Sequence, residues 1–267
     1  MYGPKNTEQV LVPVRMDLNT CFRFTCGKGL ECYTKCCKDP TIMITPYDVI
    51  CMKNHLGISS DEFLREYTTL GNIAGSELPV PVIKLLEGKE KSCPFLGESG
   101  CTIYEARPVS CRYYPIGAGL FHNKDAKMDE NFFAFIKEDY CLGHDMGEEM
   151  TVQQWRENQG VIPYDEVNST WTEIILKRKS MGPFINLPEK TLQMFFMGCY
   201  NIDSFRRFIF NSKFLEIYII PDERAEQIKE DDVALLYLAY DWLKSTLYGE
   251  GLLEIKEMVI SAEEAGV

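Results

Sequence analysis

The spacing of apolar residues predicts amphipathic helices in the second half of the chain. Hydrophobic side chains recur every three or four positions over residues 167–182, 192–205 and 233–243, a period that places them on one face of a helix. Thr151 and Gln154 have the spacing of a capping box, in which each side chain accepts a hydrogen bond from the backbone N–H of the other residue. We therefore predict a further helix that begins just after Thr151.

Two short helices are predicted in the first half. Thr45 can cap a helix that has Pro46 at its first position and Gly57 just past its end. Ser59 and Glu62 form another capping-box pair and predict a second helix start. Strand patterns are sparse, so the regular structure expected from this part of the chain is mainly helical.

Composition and charge exclude several functional classes. The 267 residues are 45% hydrophobic and 25% charged, as in an ordinary globular protein with its own core. The net charge of −12 disfavours nucleic acid and anionic lipid as partners. No apolar run approaches the roughly 20 residues of a membrane span, and the polar start lacks the apolar segment of a signal peptide. The expected location is the cytoplasm, where thiols stay reduced.

The eleven cysteines carry the candidate chemistry. Thiolates clustered in a reducing compartment commonly bind soft metals, whereas isolated buried cysteines act as small hydrophobic residues. Cys21, Cys51 and Cys199 stand alone in ordinary sequence and are expected in the core. The predicted metal ligands are the other eight: Cys26, Cys32, Cys36, Cys37, Cys93, Cys101, Cys111 and Cys141.

The spacing of these cysteines leaves the metal open. Both zinc and iron–sulfur clusters accept four thiolates, and no Cys-x2-Cys occurs. Eight sulfurs satisfy two four-cysteine sites, or one cluster and a second set used for redox work. Adjacent Cys36 and Cys37 point in different directions in most backbone conformations and are candidates for separate centres. An iron–sulfur cluster of the 4Fe–4S type is favoured, with zinc as the alternative. His144 is expected to be an exposed loop residue, although it could replace one thiolate.

Three residues beside the sulfurs are candidates for contact with the bound group. Arg107 and Arg112 bracket Cys111, and Tyr104 follows Cys101 by three residues. Guanidinium and hydroxyl donors near metal-bound sulfurs offset negative charge and raise the reduction potential of a cluster. The alternative is that both arginines pair with surface carboxylates.

These observations predict a mainly α fold with little β and irregular cysteine-rich loops around a metal centre. Residues 1–145 are expected to form the cysteine-cluster metal-binding domain, and residues 146–267 a helical extension packed on it. The few strand candidates lie around Met43 and over residues 215–220. The glycine-rich segment 116–120 is expected to be a simple turn.

Several motifs resemble the YkgJ-type cysteine-cluster family, which has a zinc- or iron-chelating CxxCxxCC domain. The resemblance covers about residues 20–145, and the stretch from Cys26 to Cys32 is longer than the family's short spacing. The same cysteine pattern occurs in flagellin lysine N-methylases, for which it would imply an iron–sulfur cluster working with S-adenosylmethionine. The matching segments are Cys32, Cys36 and Cys37, then Cys93-Pro-Phe-Leu, Gly100-Cys101-Thr-Ile-Tyr, and Arg107-Pro-Val-Ser-Cys-Arg-Tyr-Tyr-Pro115.

Three functions are compatible with these motifs, and the sequence leaves open whether the protein is an enzyme. The first is an iron–sulfur electron-transfer or accessory subunit with a protein partner. The second is an S-adenosylmethionine-dependent protein lysine methyltransferase, although no G-x-G-x-x-G motif follows a strand. The third is a structural zinc protein. An apolar patch on the C-terminal helices would support a partner surface, but the phenylalanines there are expected in the core: Phe195, Phe196, Phe205, Phe208 and Phe210.

Overall fold

The computed structural model describes residues 10–88, 90–123, 128–182 and 186–256. The chain divides into two compact units. The first contains the chain up to Ala74 and Pro79–Ser169, and the second contains Gly75–Leu78 and the chain from Thr170 onward. Within the described ranges, none of the helices has both the length and the hydropathy that a bilayer crossing requires.

The strands all lie in the first unit and pair antiparallel. A three-stranded sheet has the order β1-β8-β7, and three two-stranded ladders pair β2 with β9, β3 with β4, and β5 with β6. The strands are β1 (Val10–Met16), β2 (Cys21–Phe24), β3 (Thr68–Asn72), β4 (Pro79–Ile83), β5 (Leu96–Gly97), β6 (Gly100–Cys101), β7 (Ile116–Asn123), β8 (Met128–Lys137) and β9 (His144–Thr151).

Helices dominate the rest of the described chain. They are α1 (Pro46–Leu56), α2 (Ser60–Tyr67), α3 (Val109–Tyr113), α4 (Val152–Asn158), α5 (Ile162–Ser180), α6 (Glu189–Cys199), α7 (Ile202–Asn211), α8 (Phe214–Ile217), α9 (Asp222–Glu230) and α10 (Asp232–Tyr248). Single 3₁₀ turns occupy Lys35–Cys37 and Tyr104–Ala106. The first unit extends through Ser169 and therefore contains β9, α4 and the first part of α5.

The predicted helix starts are confirmed. The Thr45 hydroxyl accepts a hydrogen bond from the Asp48 N–H at 3.2 Å, and the Asp48 carboxylate accepts one from the Thr45 N–H at 2.7 Å. Thr151 and Gln154 make the same reciprocal pair, at 3.1 and 2.9 Å. Gly57 ends α1 with φ +67°, in the left-handed region that glycine adopts without steric cost.

The core of the first unit lies between the strands and α4. Its aromatic rings meet edge to face, as Phe22 and Phe24 do with Trp155 at centroid distances of 5.8 and 5.7 Å. Tyr114 and Cys141 pack against this core, which brings one candidate ligand to its edge. The buried members are Met16, Phe22, Phe24, Tyr113, Ile116, Phe133, Val152, Trp155 and Val161.

The second unit is built on α6, α7 and α10. Phe195 and Phe205 are fully buried, and Phe205 contacts the ring of Trp242 at 5.3 Å, so the prediction of core phenylalanines is confirmed for these two. Phe196, Phe208 and Phe210 are partly buried. The apolar pattern of residues 192–205 belongs to two helices, because the chain turns at Tyr200 and Asn201 caps α7 through Ser204 N–H.

The mainly helical prediction is confirmed, but the described residues contain nine strands, more than the little β that was expected. Residues 116–120 form part of β7, so the predicted turn was wrong. Gly117 and Gly119 lie opposite Ala134 and Phe132, and a side chain at Gly119 would meet the Phe132 ring at 2.6 Å. The glycines therefore serve cross-strand packing. Residues 215–217 of the predicted strand at 215–220 belong to the short helix α8, and Tyr218 and Met43 make only isolated bridges.

Candidate metal centre

Short antiparallel contacts in the first unit hold Cys37, Cys93 and Cys101, and Cys111 on α3 has two of these sulfurs as electrostatic neighbours. The Cys93 N–H donates to the Cys37 carbonyl at 2.9 Å, and the flanking residues Lys38 and Ser92 form a bridge. Cys101 lies opposite Leu96 in the β5–β6 ladder. Burial raises the pKa of the Cys111 thiol, and the neighbouring sulfurs, including Cys93 and Cys101, raise it further. We call Cys37, Cys93, Cys101 and Cys111 the loop cysteines.

Three other predicted ligands lie where β2 meets β9. Phe24 pairs with His144, the Thr25 N–H donates to the Gly143 carbonyl at 3.1 Å, and the Leu142 N–H donates to the Cys32 sulfur at 3.2 Å. Burial raises the pKa of Cys26 to about 11, with further contributions from the sulfurs around it, which include Cys141 and Cys32. We call Cys26, Cys32 and Cys141 the β2–β9 cysteines.

Cys36 has electrostatic contact with both sets. A hydrogen bond from Cys37 lowers the pKa of Cys36, while Cys36 is the first of the sulfurs that raise the pKa of Cys26 and of Cys111. All eight predicted ligands therefore belong to one connected network of thiols. Cys199 is remote from it in sequence and is buried in α6.

Backbone amides point at several of these sulfurs. The N–H of the residue two positions later hydrogen-bonds Cys93, Cys101 and Cys141, from Phe95, Ile103 and Gly143 respectively. Each of these hydrogen bonds favours the thiolate form and so lowers the pKa of its cysteine, whereas burial favours the thiol form and raises the pKa. Such hydrogen bonds stabilise a neutral cysteine in the core only weakly, whereas they stabilise a metal-bound thiolate strongly.

Two of the thiols combine solvent access with surrounding protein. Cys36 and Cys111 are exposed to water, yet burial by nearby protein atoms is the main cause that raises the pKa of Cys111. The donor set, eight soft sulfurs with amide donors aimed at four of them, fits a thiolate-bound metal.

The sulfurs are near one another without forming a closed coordination site. In the part of the chain that the structure describes, no group of three or more His, Cys, Asp or Glu side chains has its donor atoms placed to hold a metal ion as it stands. The assignment of the eight cysteines as ligands therefore stays a prediction. The fold places these cysteines near one another and supplies the amide donors.

Arg107 and Tyr104 lie together beside Cys101. The Arg107 guanidinium stacks 3.9 Å from the centroid of the Tyr104 ring and donates to the Tyr104 carbonyl at 2.7 Å and to the Gln159 side-chain oxygen at 2.8 Å. Burial raises the pKa of Cys101, and the positive charge of Arg107 is among the causes that oppose this rise. Tyr104 is 53% exposed. Arg107 thus acts on a predicted ligand through its charge.

Arg112 holds the loop that precedes Cys111. Its guanidinium is buried and donates to the carbonyls of Arg107 at 3.1 Å and Gln159 at 2.8 Å, and also to the carbonyl of Glu105. The partners of both arginines are carbonyl and amide oxygens, whereas the alternative prediction had surface carboxylates. Arg112 therefore positions backbone around the sulfurs.

Two residues at the site were not predicted from the sequence to take part in a metal centre. Asp48 is fully buried, caps α1, and accepts a hydrogen bond from the Val109 N–H at 2.8 Å, at the start of the helix that carries Cys111. Among the residues that the structure describes, the Tyr114 hydroxyl is buried without a hydrogen-bond partner of good geometry, and its position beside Cys141 lowers the pKa of that thiol against the effect of burial. Asp48 had a detectable sequence signal only as a helix cap.

The structure also tests the predictions made for His144 and for the three isolated cysteines, Cys21, Cys51 and Cys199. His144 is buried, and the centroid of its ring lies 5.2 Å from that of Phe135, so the prediction of an exposed loop histidine was wrong. β9 begins at this residue and turns it toward the core. Cys199 packs in the core as predicted, and Cys51 is partly buried on α1. Cys21 is exposed at the start of β2, which corrects its assignment to the core.

Comparison with known families agrees with this geometry. The CxxCxxCC family, described as "Putative zinc- or iron-chelating domain", matches residues 25–141. The matched segment contains the loop cysteines, the β2–β9 cysteines and Cys36. None of the curated proteins and none of the solved structures matches the chain. Residues 25–141 of the chain are therefore similar to the CxxCxxCC domain, and the YkgJ-type resemblance is consistent with that match.

Proposed function

We propose that the CxxCxxCC domain binds iron as an iron–sulfur cluster and that the protein is an electron-transfer or accessory subunit beside a protein partner. The proposed ligands are the loop cysteines, the β2–β9 cysteines and Cys36. When bound, the cluster supplies a group that accepts and returns one electron at a time. The chain's own residues hold the sulfurs, supply hydrogen bonds to them and set the local charge.

The observation that carries this proposal is the set of amide donors at Cys93, Cys101 and Cys141. In three separate segments the N–H two residues after the cysteine hydrogen-bonds its sulfur. Hydrogen bonds to an ionised acceptor are about twice as strong as those between neutral groups, so these donors favour the thiolate form, although burial leaves the pKa of all three thiols raised. Thiolates are the form in which cysteine binds metals.

Solvent access suits a redox centre at this site. Cys26, Cys36 and Cys111 are exposed. A redox centre needs such access because its electron must reach a partner at the surface. Arg107 adds a positive charge beside Cys101, which would raise the reduction potential of a cluster held there.

The test is to measure iron and acid-labile sulfide, together with the visible absorption spectrum, on protein purified without oxygen. We expect iron with matching sulfide and a brown colour that dithionite bleaches. Cys93→Ser should lower the iron content, whereas Cys21→Ser, at an exposed cysteine outside the thiol network, should leave it unchanged. Zinc without sulfide, or equal iron loss in both variants, would overturn the proposal.

A further inference from the structure

One aromatic contact joins two segments that carry predicted ligands. The Tyr33 side chain lies against Gly100, so residues 32–37 meet the hairpin formed by β5 and β6. We propose that Tyr33 is a positioning residue for these cysteines and that its ring controls access to Cys101. This inference rests on the proposed function only for the statement that the thiols bind a metal.

Gly100 leaves the space that the Tyr33 side chain occupies. Gly100 is buried, whereas Glu98 and Ser99, which precede it in the turn of the hairpin, are exposed. A Cβ on Gly100 would have three atoms of Tyr33 as its nearest neighbours among the described residues, with Cζ at 3.2 Å, Cε1 at 3.5 Å and the hydroxyl oxygen closer still. A side chain at this position would therefore collide with the phenol.

The segment that carries Tyr33 is wound in consecutive backbone turns. The Leu30 N–H donates to the Gly27 carbonyl at 3.1 Å, and the Tyr33 N–H donates to the Leu30 carbonyl at 2.9 Å. Thr34, the next residue, has φ +69°, a conformation that is rare for a β-branched side chain. Such a conformation persists where surrounding contacts fix it, and the packing of Tyr33 on Gly100 is a contact of this kind.

Two separate contacts orient this segment on the hairpin and its preceding loop. At one end the Cys93 N–H donates to the Cys37 carbonyl at 2.9 Å. At the other end Tyr33 packs on Gly100. A single contact would leave the segment free to pivot, whereas two contacts define its orientation. Loss of the Tyr33 ring should therefore loosen the segment relative to Cys101.

The Tyr33 phenol lies close to several thiols. Burial raises the pKa of Tyr33, and neighbours that include Cys26, Cys37 and Cys101 raise it further. Cys37 and Cys101 are partly buried, whereas Cys26 is exposed. Cys101 also follows Gly100 directly, so the ring that packs on this glycine is placed to shield the Cys101 sulfur from solvent.

The test measures how fast iodoacetamide alkylates Cys101 in the reduced, metal-free chain, by peptide mass spectrometry. Cys21, which is exposed, is the internal reference. An aromatic contact changes an equilibrium by up to about tenfold, so Tyr33→Ala should raise the rate at Cys101 relative to Cys21 by up to that factor. Tyr33→Phe keeps the ring and should restore the wild-type rate. Equal relative rates in wild type and Tyr33→Ala would overturn the proposal.

A matched pair of glycines separates the ring contact from backbone strain. Gly100 and Gly88 have φ +120° and +145°, and only at Gly100 does a Cβ meet an atom of the described residues within 4 Å. Gly100→Ala should therefore raise the Cys101 rate, whereas Gly88→Ala should not. Tyr33→Ala combined with Gly100→Ala should react no faster than Tyr33→Ala alone. Additive effects would contradict the contact, and circular dichroism checks that each variant is folded.

A second measurement addresses the metal. In protein purified with its iron, Tyr33→Ala should lose iron to a chelator faster than wild type and Tyr33→Phe, and equal rates in all three would contradict the positioning role. The alkylation experiment does not depend on iron. A chain that binds no iron but shows the expected alkylation pattern would thus contradict the proposed function and leave the access role of Tyr33 intact.

Discussion

Substitution of Asp48 tests how a buried carboxyl supports the loop cysteines. Its two oxygens accept from the Thr45 N–H at 2.7 Å, the Thr45 hydroxyl at 2.8 Å and the Val109 N–H at 2.8 Å. Asp48→Asn has one acceptor oxygen in place of two and sets an NH₂ group against a buried donor. Leaving a buried N–H without a partner costs about 1–3 kcal/mol, so we expect a loss of this size at pH 8, where the carboxyl is ionised and both oxygens accept.

The pH dependence of this loss has a definite sign. An Asp side chain ordinarily has a pKa of 3.8, and burial raises that of Asp48 to about 6, although hydrogen bonds from Thr45 and Val109 oppose the rise. Because the folded state holds the proton more tightly, the stabilisation is complete below pH 4 and is lost as pH rises through 6. At 1.36 kcal/mol per pH unit the whole change is about 3 kcal/mol, roughly half of it between pH 5 and pH 8.

The assay is urea unfolding of wild-type and Asp48→Asn protein at pH 5, 6.5 and 8, followed by circular dichroism at matched metal content. The variant's loss should be about 1.5 kcal/mol smaller at pH 8 than at pH 5, because only the wild type is destabilised by ionisation of this carboxyl. Glu62→Gln, at an exposed carboxyl, controls for the loss of a negative charge. A loss that is equal at both pH values, or larger at pH 8, would refute the reasoning.

Three further substitutions distinguish residues that support metal binding at the sulfurs from residues that affect only the free energy of unfolding. Arg112→Met removes the donors to three carbonyls and should cost about 3 kcal/mol in urea unfolding together with a loss of bound metal; unchanged metal content would contradict its positioning role. Gly143→Ala places a Cβ against the Thr25 carbonyl oxygen and should lower stability by about 3 kcal/mol or more, whereas Gly27→Ala, where no atom of the described residues lies within 4 Å, should change it by less than about 0.5 kcal/mol. Cys199→Ala, at a buried thiol outside the network, should cost about 1 kcal/mol and leave the metal content of the purified protein unchanged, and a loss of metal would show that the second unit supports the site.

The features that the sequence predicted well are local. The capping box of Thr45 and Asp48 is complete within four residues, so its geometry follows from the residue types alone. The same holds for Thr151 and for Gly57. Cysteine clustering is also visible locally, because soft-metal sites need several thiols and few other uses explain so many.

The features that the sequence could not predict depend on distant pairing. Cys21 pairs with Thr151 across 130 positions, and only this register buries His144 and brings Cys141 to the end of β2. β2 has just four residues, too few for a clear alternation of polar and apolar side chains. Asp48 likewise contacts Val109 at a separation of 61 residues. Its double role as helix cap and loop anchor has no local signature.

The core and the sulfurs of the first unit are stabilised by different means. Phe22, Phe24 and Trp155 pack edge to face, and such a core is stable through apolar burial without any metal. The loop cysteines instead lie in irregular chain, where short ladders and the carbonyl bonds of Arg112 supply the order. Burial leaves the thiols of Cys93 and Cys101 with raised pKa values despite their amide donors. Metal binding, which replaces the proton on sulfur, is therefore the step that would convert this costly arrangement into a stabilising one.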